Sequence, residues 1–140
     1  MKMIIVHFFL FSLLYGNLFS SDIVDHLLSN KWISDKEKTI EWINKHRPTL
    51  KNKDKLFELF GQMKVSMTLD RYNTLINGKM NSTPIKIIGN TERDIAIVIK
   101  DPILEREVII VIEVDEDKNG YWTYNSQFDL KENFKLFTDQ

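Results

Sequence analysis

Cysteine is absent from the 140 residues, and that absence closes several routes at once. No disulfide can staple the chain, no thiolate can bind a metal or attack a substrate, and no N-terminal Cys can carry a lipid. Charge of one sign is lacking too, with 19 basic residues against 20 acidic ones. Nucleic-acid binding needs a clustered basic face, which a near-neutral chain does not supply. Glycine is scarce, five in all, and none lies in a phosphate-cradling loop. His-Glu-x-x-His and Gly-x-Ser-x-Gly are missing as well. No repeat, linker or low-complexity stretch divides the chain. Its 43% apolar content is ordinary for a globular protein and excludes wholesale disorder.

The first twenty residues, MKMIIVHFFLFSLLYGNLFS, set Lys2 ahead of an apolar run from Met3 to Leu14, followed by Gly16-Asn17 and a small residue at Ser20. Charge, apolar run and small residues in that order read as a secretory signal peptide cut after Ser20. The run falls short of the about 20 apolar residues that a membrane span needs. Residues 21–140 are therefore expected to form a single exported domain with no membrane span. A small exported chain without disulfides points to a bacterial periplasm or to secretion.

Two periods divide that domain. From 22 to 61 the spacing is helical. Asp22 is placed to cap a short helix with Ile23, Val24, Leu27 and Leu28 on its inner face, ending near Asn30. Trp32-Ile33 reads as a brief extended piece. Ser34-Asp35-Lys36-Glu37 fits a capping box with Ser34 as N-cap, opening a helix that stops before Pro48. A third helix from about Lys53 is expected to bury Leu56, Leu59 and Phe60 and to end at Gly61. From Met63 the period is two: Val65, Met67 and Leu69, then Ile85–Ile88, Ile95–Ile99, Val108–Val114, Tyr121–Tyr124 and Asn133–Phe137. Asn77-Gly78 and Asn119-Gly120 are hairpin turns by composition. Helices first and strands after give an α+β fold. Short connections give an antiparallel β-meander of about five to seven strands, covered by helices or curled into a partial barrel.

Trp32-Ile33-Ser34-Asp35-Lys36-Glu37-Lys38-Thr39, Gly61-Gln62-Met63-Lys64-Val65, Pro84-Ile85-Lys86-Ile87, Tyr121-Trp122 and Asn133-Phe134 together resemble a family of small exported bacterial proteins described as lipocalin-like. That resemblance implies a β-meander closing on an aromatic-rich strand. Asn30-Lys31-Trp32 stands where true lipocalins open with Gly-x-Trp.

Chemistry-bearing patterns are few. Asp115, Asp117 and Asn119 followed by Gly120 match the front of a calcium loop, but Ser126 takes the place of the closing Glu. A solvated acidic hairpin is the expected state. Asp22 and His26, one helical turn apart, suit a surface ion pair. Aromatics are abundant, and Trp32, Tyr72, Trp122 and Tyr124 are the candidates for ligand or partner contact. No catalytic residue and no cofactor are implied. The expected function is a non-enzymatic exported binding domain for a small apolar ligand. The alternative is a protein–protein module of the cell envelope, of inhibitor or immunity type, with a hydrolase less favoured.

Overall fold

The computed structural model describes residues 21–100, 105–125 and 129–138; the expected signal peptide lies outside them. Helix α1 (Ser21–Ser29) leads into strand β1 (Trp32–Ser34). Helices α2 (Lys36–His46) and α3 (Lys53–Leu59) follow. Seven strands complete the chain: β2 (Lys64–Met67), β3 (Arg71–Ile76), β4 (Lys79–Asn90), β5 (Asp94–Lys100), β6 (Glu107–Val114), β7 (Gly120–Asn125) and β8 (Leu130–Leu136). Each strand pairs antiparallel with the next, and β1 also pairs with β8, so the expected meander is a closed barrel of eight strands. Closure rests on β1, too short to stand out in the sequence, which pairs Trp32 with both Val65 and Leu136.

The strand period sorts side chains between interior and exterior. Trp32, Val65, Met67, Ile85, Ile95, Ile97, Ile112, Val114, Tyr121 and Phe134 meet in one buried cluster inside the barrel. Ile23 and Leu27 join that cluster, so the apolar face of α1 covers one end of the barrel, against β2 and β5. Two hydrogen bonds hold it there: Trp32 Nε1 donates to the Leu27 carbonyl at 3.1 Å, and His26 Nε2 to the Lys118 carbonyl at 2.6 Å. The imidazole expected to pair with Asp22 is thus spent on the β6–β7 hairpin. At this end Tyr121 meets Trp32 edge-on, centroids 5.1 Å apart, and stacks on Phe134 at 4.9 Å. Such pairs contribute about 0.5–1.5 kcal/mol each beyond their area. A second cluster joins Ile43 of α2, Phe60 and Leu130 of β8 with Trp42, Leu50, Leu56 and Phe57.

Several local expectations are corrected. The N-cap of α2 is Asp35, whose carboxylate accepts the Lys38 amide, because Ser34 is drawn into the barrel as the last residue of β1. Leu59, at 64% exposure, and Leu69, at 69%, are solvent-facing: the helix turns Leu56 and Phe57 inward instead, and Leu69 falls in the β2–β3 turn. Asn77-Gly78 does form the expected two-residue hairpin, with φ of 51° and 76°. Asn119-Gly120 does not. There the left-handed residue is Lys118 (φ 59°), and the Asp115 amide donates to the Gly120 carbonyl at 2.9 Å. Gly120 is required for closeness: a Cβ at this point would lie 2.7 Å from Asp115 Oδ2 and 2.8 Å from the Phe134 carbonyl oxygen.

The two glycines therefore fail differently. Gly78→Ala meets no neighbour and should cost about 1 kcal/mol, the left-handed penalty alone. Gly120→Ala forces β7 off β8 and should cost clearly more, up to about 3 kcal/mol. Urea denaturation of both variants checks the order; equal losses would contradict it.

Candidate functional site

The barrel is not filled along its whole length. In the half away from α1, a cavity of about 320 Å³ is lined by Met63, Ile97, Ile99, Val108, Ile110, Ile112 and Phe134, with Tyr72, Thr83, Thr123 and Glu132 supplying polar atoms. These residues come from six strands and the approach to β2. They face one another because Ile97 pairs with Ile110, Ile99 with Val108, and Thr123 with Glu132 across the ladders. Ile109 and Tyr124 stand at its rim.

Among the described residues Glu132 is the one carboxyl of this lining, and no Lys, Arg or His lines it. Ser34 Oγ donates to Glu132 Oε1 at 2.8 Å and in turn accepts the Gly61 amide at 3.0 Å. Burial pushes the Glu132 carboxyl above the ordinary carboxylate range, and the Ser34 hydrogen bond only partly offsets this. Near it the Tyr72 and Tyr121 hydroxyls lie 3.4 Å apart. Burial raises Tyr72 to about 12 and Tyr121 well above its usual value, so both remain neutral donors at physiological pH. The site is an apolar cup with a small polar cluster set into its wall.

The four aromatic candidates part company. Tyr72 lines the cavity, and Tyr124 stands at its rim with its hydroxyl donating to Asp129. Trp32 is fully buried beneath, in the aromatic cluster at the α1 end. Trp122, paired with Glu113 and Asn133, points to the outside of the barrel. The acidic hairpin is engaged piecemeal: Asp115 Oδ2 lies 3.6 Å from Lys38 Nζ, and Asp117 Oδ1 accepts the Asn119 amide at 2.9 Å. Ser126 lies outside the described residues. Among the described residues no three His, Asp or Glu side chains gather to hold a metal.

Glu132 is the residue that sequence reasoning passed over. Its signal was phase: Leu130, Glu132, Phe134 and Leu136 share one face of β8, so a charged residue sits in register with three apolar ones. Starting that strand at Asn133 hides the pattern. The chain matches no model of a known protein family, no curated protein and no solved structure. What defines it is its architecture: a closed eight-stranded antiparallel barrel with a helix over one end, compatible with a lipocalin-like fold. No helix among the described residues is long and apolar enough to cross a membrane.

A raised carboxyl binds its proton more tightly in the folded chain than in the unfolded one. Its contribution is then fully present below the unfolded value, and stability is lost as pH rises through the folded value. Glu132→Gln abolishes this loss. The melting temperature of the variant, relative to wild type, should therefore be more favourable at pH 7 than at pH 4. An equal difference at both pH values would contradict the placement of Glu132.

Proposed function

We propose that this chain is an exported, non-enzymatic binding barrel that holds a small apolar ligand in its interior. The observation that carries the reading is the cavity: its volume of about 320 Å³ and its wall of Ile, Val, Met and Phe broken by a few convergent hydroxyls and one carboxyl. Small-ligand sites have this make-up, mostly apolar with a few placed polar groups, and volumes from about 300 Å³ upward. The resemblance to small exported lipocalin-like proteins supports the same reading, since such a barrel offers its ligand the interior. The signal-like order of residues 1–20 supports export to the periplasm or beyond.

A second reading has one observation behind it. Ile109, Val111 and Tyr124 are exposed on the outer face of β6 and β7. Such a strip suits contact with another envelope protein, which is the interaction-module alternative.

A neutral apolar fluorophore, N-phenyl-1-naphthylamine, distinguishes the two. Its fluorescence should rise on mixing with the protein. Ile110→Trp, which fills the cavity from β6, should abolish the rise while leaving the far-ultraviolet circular dichroism unchanged. Trp122→Ala, on the outer wall, should leave it intact. A signal that survives Ile110→Trp and disappears with Trp122→Ala would overturn the interior site.

A further inference from the structure

Resting on the reading of the interior as a ligand site, we infer that its ligand class is the amphiphilic amine: an apolar body carrying one ammonium group that pairs with Glu132.

The charge content of the cavity carries the argument. Among the described residues thirteen line it, and the ionisable ones among them are Glu132 and two tyrosines, Tyr72 and Tyr124. An anionic ligand, such as a fatty acid, would bring a carboxylate to a carboxyl with no Lys, Arg or His among the described lining residues to neutralise either. A cation meets the opposite situation. Taking an ammonium out of water is costly unless it is paired and hydrogen-bonded, and Glu132 offers the pairing. Its Oε1 is already fixed by Ser34 Oγ, and the Gly61 amide fixes Ser34. Among the described residues no side chain or amide donates to Oε2, which leaves it for a ligand N–H. The carboxyl is held by β1 and β8 and does not have to be ordered when the ligand arrives, which spares entropy.

The surroundings suit a cation further. The Tyr72 oxygen, 3.4 Å from that of Tyr121, can accept a second N–H. The rings of Tyr72 and Phe134 line the same space, and aromatic faces attract ammonium groups. The rest of the wall, from Ile97, Ile99, Val108 and Ile110, asks for an aliphatic or aromatic body. Where Glu132 holds its proton in the empty barrel, pairing with an ammonium releases that proton to solvent.

Calorimetric titration of the protein at neutral pH with three chain-matched probes tests this: n-octylamine, octan-1-ol and octanoate. The expected order is octylamine tightest by about tenfold or more over octanol, the scale of a charge-assisted hydrogen bond, with octanoate weakest. In Glu132→Gln the octylamine advantage should vanish while octanol binding persists. Octanol binding with octylamine no tighter, or octanoate the tightest, would overturn the amine assignment and leave the binding barrel standing. So would an amine preference that survives in Glu132→Gln. Binding of none of the three would overturn the reading of the interior as a ligand site, and the amine assignment with it. The wild-type comparison decides the order even if the variant does not fold.

Discussion

The backbone pairing of Trp32, Ile33 and Ser34 with Leu136, Lys135 and Phe134 joins the first strand to the last, and the interior exists only while it holds. Three residues are few for such a duty, so the joint is reinforced from both sides. The Asp35 amide donates to the Asn133 carbonyl at 2.8 Å, and the Asn133 amide to Thr39 Oγ1 at 3.0 Å, with Thr39 and Asn133 wholly buried. The Ser34 amide donates to the Met63 carbonyl at 2.9 Å, so the excursion through α2 and α3 returns to the point it left. Each such bond is worth only about 1 kcal/mol net. Losing one inside leaves a buried donor or acceptor unsatisfied, which costs more. An open sheet would also expose the unpaired edges of β1 and β8, and closure removes them.

Closure then divides the interior into two regimes. Toward α1 the space is filled by large rings: Trp32, Tyr121 and Phe134 in contact, with Ile23 and Leu27 packed against the same cluster. Away from α1 the wall side chains are aliphatic and leave a cavity of about 320 Å³. The filled half supplies stability, and the open half is the site proposed for a ligand. Ser34 connects them, because the residue that ends the closing strand is also the one that holds Glu132. Barrel closure and the proposed recognition therefore share a residue, and Asp35, one position on, caps α2 in its place.

Much of this was legible in the chain. The change of period at Met63 separates helices from strands, Asn77-Gly78 marks a hairpin, and Ile23, Leu27, Val65 and Ile97 carry the core pattern. What escaped had physical reasons. A three-residue strand has no period, so closure through β1 could not be counted. Gly120 looked like a turn glycine, whereas its role is to let Asp115 and Phe134 approach. Trp122 and Tyr124 stand out in the sequence as aromatics on one face of a strand, candidates for contact. On that strand Tyr121 and Thr123 face the interior, and Tyr124 reaches the cavity rim. Glu132 required the exact start of β8, and strand starts are where sequence patterns are weakest.

The central claim is that a closed barrel keeps an apolar interior open between Ile97, Ile110 and Phe134. A crystal of the protein pressurised with xenon tests it most directly, since xenon enters apolar cavities and scatters strongly. The account predicts anomalous xenon density within van der Waals distance of those three side chains, with β1 still paired to β8. An interior closed by repacked side chains, with xenon found only on the outer surface, would contradict it.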